Sequence, residues 1–398
     1  MNYQTADIII IGGGITGCCL ALELRKKSFS VILLEKNSIG AASSGRSGGG
    51  VRQQNRVPQE LPLAMLSVKV WQEMVEELDK DVEYRQNGNL KLILSEKEIE
   101  PYKTEIERQC KAGLDVQFLN EKEVRELLPV LSPNIEVFGG TYCSKDGSVN
   151  PLLVTKAIAK KAREQGVKIH EQEPVISLKH EQDKGNKTAG HQKFSNNPHT
   201  TWIVKTKTST YESPIVINAA GVWSGEICNL LGLSFPSEIR RCHIMVSQAI
   251  SPIIKPFVSH SEGYIRQAVN GNIHIGVSSQ PVSGFDTSTD INIFNHVPGV
   301  YVKLFPFMEH LPVIRNWAGL IHTTPDGFPI ISQAPGVKNF YLVAGWSGHG
   351  LCLGPGAARV LAQIINGEEA EVDLDCFSWE RFLGDGHGKT SCEIGRLI

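Results

Sequence analysis

Three clusters of residues in this chain have the types and spacing to do chemistry. The first is Gly12-Gly13-Gly14-Ile15-Thr16-Gly17, a G-x-G-x-x-G run followed 18 residues after Gly17 by Glu35. Glycine at these positions permits a tight turn (Gly12), close approach of a diphosphate to the backbone (Gly14) and close packing of helix on strand (Gly17). The helix N-terminus offers unpaired N–H groups and a partial positive charge to phosphate. Glu35 can accept hydrogen bonds from a ribose 2′-OH. The second cluster is Ser38–Gly50, SIGAASSGRSGGG, whose small residues make a loop able to run beside a dinucleotide. Arg52 is the first cation beyond its glycines. The third is Phe340–Gly356, FYLVAGWSGHGLCLGPG, which carries His349. It reads as a buried strand, a glycine turn and a helix from Gly356 to Ile365, bringing a second helix N-terminus to a cofactor edge.

The elements that hold these clusters follow from apolar patterning. Ile8–Ile11 and Val31–Leu34 are short apolar runs, as expected of strands buried on both faces, with a helix to Lys27 between them. Leu61–Leu78 carries a helical apolar stripe that places Trp71 in the core, and Tyr84–Leu94 changes to strand alternation. Glu96–Lys111 and Glu121–Leu128 read as exposed helices, Pro151–Gln165 as a helix, and Val167–His170 and Pro174–Leu178 as strands. Trp202–Thr206 and Ile215–Ile217 are further strands, the latter running into Asn218-Ala219-Ala220-Gly221, where small residues allow a ligand close to the backbone. Phe235–Gln248 opens a strand-rich region, with a hairpin turning at Asn270-Gly271-Asn272 and strands continuing over Gly284–Met308. The fold class is α/β (α+β): a Rossmann-type dinucleotide domain from 1–82, 146–237 and 316–398, and an antiparallel-sheet domain from 83–145 and 238–315.

The 398 residues allow two or three domains, and 41% hydrophobic content supplies a large core. A net charge of −2 gives no reason to expect nucleic acid. Nine scattered cysteines without C-x-x-C argue against disulfides and zinc and suit a reducing, cytoplasmic setting. No signal peptide and no transmembrane run is expected. The polar segment His180–Thr200, with His180, His191 and His199, reads as a surface excursion rather than a metal site, because no ligand spacing is present.

Taken together, GGGITG with Glu35, SSGRSGGGVRQQ, NAAGVWS, WAGLIHTTPDGFPII and AGWSGHGLCLGPG resemble the D-amino-acid oxidase/sarcosine oxidase superfamily of FAD enzymes, over nearly the whole chain. The nearest likeness is to β subunits of sarcosine oxidase and of proline or hydroxyproline dehydrogenases, and to opine oxidase subunits. The resemblance implies non-covalent FAD and oxidation of the C–N bond of a small amino acid or amine. It also implies a second, electron-accepting subunit as partner. It places FAD at Gly12, Gly13, Gly14, Ile15, Thr16, Gly17, Glu35, Lys36, Ser43, Ser44, Ser47, Gly48, Val175 and Gly221, and along the turn Gly345, Gly348, His349, Gly350 and Leu351. Departures from the family pattern are informative. Gly319 stands where monomeric sarcosine oxidases attach FAD through a Cys, and Cys352 where they bind the substrate carboxylate with a Lys. His274 stands where they activate oxygen with a Lys, and Ile321 where glycine and D-amino-acid oxidases carry an Arg. Carboxylate binding then falls to Arg52, or to Arg266 with Tyr264, the phenol being expected to face inward. His349 and His243 are candidates to tune protonation, with His322 of similar standing. Competing readings are a stand-alone, peroxide-forming oxidase of glycine or D-amino acids, and a flavin-bearing assembly subunit with little catalysis of its own.

Overall fold

The computed structural model describes residues 2–182, 200–277 and 279–383; His191 and His199 lie outside them. Four consecutive isoleucines show why the first strand sits where it does. Ile8 and Ile10 belong to one apolar core, and Ile9 and Ile11 to another. A strand without polar alternates must be covered on both faces. It lies inside a six-stranded sheet in the order Ile330–Gln333, Phe340–Ala344, Ile215–Asn218, Ile8–Ile11, Val31–Leu34, Lys168–His170. Every pairing in this sheet is parallel except that of Ile330–Gln333 with Phe340–Ala344. The helices Ile15–Lys26, Leu61–Glu76, Pro151–Glu164 and Gly350–Ile365 cover one face. A four-stranded sheet covers the other through Trp202 and Tyr211.

A nine-stranded sheet forms the second layer, antiparallel apart from the pairing of Phe257–His260 with Asn89–Ile93. Strand alternation gives it two unlike faces. Leu90, Leu92, Val258, Ile265, Ile273 and Ile275 enter a third apolar core. Asn89, Lys91, Ser259 and Tyr264 come up on the opposite face, toward the six-stranded sheet and its loops.

Several expectations need correction. The segment Gly284–Met308 is not all strand: it holds the helix Ile291–Leu304. The Asp290 side chain caps this helix by accepting from the Asn292 N–H (2.9 Å), and Ile293, Val297, Tyr301 and Leu304 recur on its buried face. Burial of that face outweighs the poor helix propensities of Pro298 and Gly299, which obscured the period. The change of domain expected at 316 falls inside one strand, Val313–Thr323, which pairs along its length with Glu238–Ala249 in the large sheet. The strand expected over Pro174–Leu178 runs instead from Ser177 to Gln182, so Val175 precedes it.

The last helix begins at Gly350 rather than Gly356, with Pro355 inside it. Proline has no N–H and disturbs the preceding turn. Ser67 and Trp71, on the neighbouring helix, repair the damage. The Ser67 hydroxyl and the Trp71 indole N–H (3.2 Å) both donate to the Cys352 carbonyl, and the Gly356 N–H donates to Ser67 Oγ (2.9 Å). The close approach requires glycine: a Cβ on Gly356 would lie 2.8 Å from Ser67 Cβ. Replacing Ser67 with Ala strands the buried Gly356 N–H. Ser67→Ala is expected to destabilise the protein by about 1–3 kcal/mol in urea denaturation, with an unchanged m-value.

Candidate active site

A cavity of about 550 Å³ runs between the C-terminal ends of the parallel strands and the polar face of the large sheet. Its first end is built by the glycine run. Gly12 has φ +114°, and a Cβ there would lie 2.4 Å from the Ala219 carbonyl oxygen. A Cβ on Gly17 would lie 1.9 Å from the Gly12 carbonyl oxygen, so this glycine acts from beneath and does not line the cavity. Gly14 has no side chain to cap the helix and no acidic residue occupies its first turn, so beyond the Ile15 N–H its amino end is open to an anion. Glu35 holds the loop in shape: one carboxylate oxygen accepts from the Gly13 N–H (2.6 Å) and the other from the Asn37 N–H (2.7 Å). Ser44 Oγ accepts from the Ile15 N–H (2.9 Å), and Ser43 Oγ donates to the Leu320 carbonyl (2.7 Å), tying the second glycine loop across the cavity to Val313–Thr323. The Lys36 ammonium sits 3.4 Å from the centroid of the Trp223 ring. Burial lowers its pKa below the ordinary lysine value.

The far end is the turn Trp346–Cys352. Ser347 (φ +49°) and Gly348 (φ +90°) bend it in the left-handed region, and His349 caps the Gly350–Ile365 helix without a side-chain hydrogen bond to it. The imidazole is turned to Glu60, with Nδ1 3.1–3.2 Å from the two carboxylate oxygens. Burial pushes the His349 pKa down and the Arg56 charge adds to this, while Glu60 pulls the other way; the net shift is downward. Burial alone would raise the Glu60 carboxyl, but His349, Arg56 and Arg52 outweigh it and leave its pKa below the usual value. An ionised Glu60 only accepts, so the Nδ1 that faces it carries a proton.

The remaining candidates divide between those that reach the cavity and those that do not. Arg52 lines it, and its side chain makes no hydrogen bond or ion pair among the described residues. Burial, and then the Arg56 charge, lower the Arg52 pKa to about 10, so it stays charged at neutral pH. Asp146 stands behind, accepting from the Gln53 N–H (2.8 Å), and burial raises its pKa to about 6. Tyr264 is inward: it lines the cavity, stacks on Phe257 at 4.9 Å, and occupies space beside Gly48 and Gly276 that a Cβ on either would invade. Arg266 does not reach the cavity; its Nε donates to the Gly48 carbonyl, so it braces the glycine loop instead. His243 lines the wall, with Nε2 accepting from the Asp290 N–H (3.2 Å) at the start of the Ile291–Leu304 helix. Of the turn glycines, Gly348 and Gly350 line the cavity and Gly345 does not, while Ile15, Thr16, Ser47, Val175, Gly221 and Leu351 do. Cys352 Sγ donates to the Arg52 carbonyl (3.1 Å), and Gly319 packs against Arg46. His274 stands edge-on to Trp317, and burial lowers its pKa to about 3, so it carries no charge at neutral pH. His322 is also neutral, lowered to about 4 by burial, within 2.7 Å of Ser237 Oγ.

Sequence reasoning missed Arg56, Glu60, Asn89 and Lys91. Arg52, Arg56 and Glu60 follow at intervals of four, which was the one available signal. Lys91 alternates with Leu90 and Leu92 and so reads as the solvent side of a strand, yet it is only 4% exposed.

The model of the FAD dependent oxidoreductase family DAO matches residues 7–364. The chain belongs to this family. The residues fit the cofactor: a helix amino end free of acidic residues beside glycines that admit no Cβ, a carboxylate at the end of the second strand, and a cavity continuing to a second helix N-terminus. FAD is therefore the cofactor of this oxidoreductase. The sarcosine oxidase beta subunit of Arthrobacter sp is 28% identical over 97% of this chain and 94% of its own length. An opine oxidase subunit of Rhizobium meliloti is 28% identical over 94% of this chain and 97% of its own. Among solved structures, L-proline dehydrogenase from P. horikoshii matches with a TM-score of 0.86 at 27% identity, covering 96% of this chain and 98% of that one. No helix among the described residues is long and apolar enough to cross a membrane.

Lys91 gives this site a measurable signature. Burial, and then the Arg52 charge, lower its pKa from 10.5 to about 8. Between these values the unfolded chain binds more protons than the folded one, so stability rises with pH there; below about 8 the folded protein carries the full penalty. Lys91→Met is expected to stabilise the FAD-loaded, amine-free protein by about 1–3 kcal/mol at pH 7. The gain should shrink as thermal melts are taken upward from pH 8.

Proposed function

We propose that this FAD-dependent enzyme oxidises the C–N bond of a small amino acid or secondary amine, yielding an imine that water can hydrolyse to an oxo acid. The carrying observation is Arg52: a charged, largely desolvated guanidinium on the wall of a cofactor cavity, without a carboxylate bonded to it. Such a group is matched by the bidentate carboxylate of an amino acid. FAD, when bound, supplies the acceptor for the hydride that leaves the α-carbon. The chain's own task is orientation. Arg52 holds the carboxylate, Tyr264 and Phe257 form an aromatic wall, and His349 is held in place by Glu60. A neutral amine can expel the hydride with its lone pair, so no strong general base is needed. The glycine run and the Trp346–Cys352 turn would hold FAD, and the large sheet would shape the substrate end.

One feature supports a dehydrogenase over a peroxide-forming oxidase: the neutral His274 offers no cation where monomeric sarcosine oxidases place a lysine. Two relatives, both named oxidases, are named as subunits of larger enzymes. A second subunit that takes the electrons is thus part of the reading.

The test is direct. Purified FAD-loaded protein, mixed without oxygen with sarcosine, proline or an opine, should lose its yellow absorbance. A broad amine panel that leaves the flavin oxidised would reject the proposal. Arg52→Ala should raise the KM for the reducing amine roughly 10- to 150-fold, through loss of a charge-assisted hydrogen bond of about 1.5–3 kcal/mol. Unchanged kinetics would remove Arg52 from the site.

A further inference from the structure

The polar face of the large sheet holds a second set of unsatisfied groups, across the cavity from the cofactor loops. Asn89 and Lys91 are alternate residues of one strand, and Ser259 pairs in register with Lys91 from the neighbouring strand. All three line the cavity and all are more than nine-tenths buried: Asn89 is 0% exposed, Lys91 4% and Ser259 9%. Asn89 Oδ1 accepts from Gln54 Nε2 (2.9 Å), which fixes the amide and leaves Nδ2 without a partner. Ser259 Oγ has no partner either. The Lys91 ammonium makes no hydrogen bond or ion pair among the described residues, and Glu98, whose charge acts on it, does not reach it.

Three buried groups able to donate, one of them cationic, therefore line one cavity with these donors unpartnered among the described residues. The nearby acids are committed elsewhere. Asp146 accepts from the Gln53 and Gln54 amides, and Glu60 serves His349 and Arg56. Arg52, Arg56 and Lys91 together make this end of the cavity strongly electropositive. Unsatisfied buried polar groups are costly, and a buried unpaired ammonium more so. An amine with one carboxylate, held by Arg52, would leave the Lys91 group unanswered.

Resting on amine oxidation as the activity, we infer that the substrate is a dicarboxylic amine, its second carboxylate received by Lys91, Asn89 and Ser259 while Arg52 holds the first. Lys91 is then a specificity-determining residue. The chemistry required is a second carboxylate, borne either on the nitrogen substituent, as in an N-(carboxyalkyl) amino acid, or on the side chain of an acidic amino acid.

The test separates binding from turnover. FAD-loaded protein is titrated with two ethers that cannot be oxidised at nitrogen, diglycolate with two carboxylates and methoxyacetate with one, following the flavin absorbance. Diglycolate should bind about tenfold to a hundredfold more tightly. In Lys91→Met that advantage should fall to within about threefold, with methoxyacetate losing much less affinity than diglycolate. The companion variant Ser259→Ala should lose a smaller part of the advantage. Anaerobic reduction by iminodiacetate, an N-(1-carboxyethyl) amino acid and glutamate, against sarcosine and proline, then tells the two sources of the carboxylate apart. Equal binding of both ethers by the unaltered protein, or an advantage that survives in Lys91→Met, overturns the inference. Bleaching by sarcosine or proline in that case leaves amine oxidation standing. If no amine bleaches the flavin, amine oxidation fails, while the ratio of the two ethers still decides whether Lys91 reads a second carboxylate.

Discussion

Where the first strand turns into the first helix there is no room for a methyl group. The Gly12 carbonyl lies where a Cβ of Gly17 would be, and the Ala219 carbonyl lies where a Cβ of Gly12 would be. That steric constraint lets the helix start directly at the end of the strand, with its amino end aimed into the cavity. The same device recurs on the other side. Gly354 packs against Thr16 of the first helix and Gly356 against Ser67 of the helix Leu61–Glu76, which draws the Gly350–Ile365 helix close to both and brings its own amino end to the same space. Two helix ends converge on one cavity because glycines allow the helices behind them to touch. The positive ends of both can then act on one anionic ligand.

The opposite wall obeys a different constraint, which is electrostatic. A strand face that alternates with a fully apolar one normally meets water, and its lysines are solvated. Here the face of Asn89 and Lys91 is roofed by the cofactor loops, so its charge is desolvated without being paired. Arg52 and Arg56 add to the imbalance, opposed by Glu60 beside Arg56 and by the Asp146 charge acting on Arg52. Folding must carry this penalty, and binding of an anion can relieve it. A preorganised, positively charged pocket is a means of holding one carboxylated molecule in a fixed orientation against a cofactor.

Much of this was legible from residue types. The glycine run, Glu35, the Ser43–Gly50 loop and the turn around His349 were readable because their chemistry depends on local backbone geometry, and all converge on one cavity. The helix Ile291–Leu304 was not, because Pro298 and Gly299 interrupt a period that packing against the large sheet restores. Nor was the true start of the Gly350–Ile365 helix, since Ser67, far away in sequence, supplies the hydrogen bonds that keep it regular past Pro355.

Local sequence determined the dinucleotide unit, the cofactor class and the presence of a strand-rich partner layer, because apolar period and glycine spacing act over a few residues. Only the tertiary structure decided what Arg266 and Lys91 do. Arg266 was a candidate ligand and proves to brace the Gly48 carbonyl, and Lys91, not among the sequence candidates, proves to be buried at the cavity. The reason is that a side chain's role in binding is set by what covers it and what leaves it unpaired. Those neighbours come from strands and loops far away in sequence, 168 positions for Ser259 and Lys91 and 218 for Arg266 and Gly48.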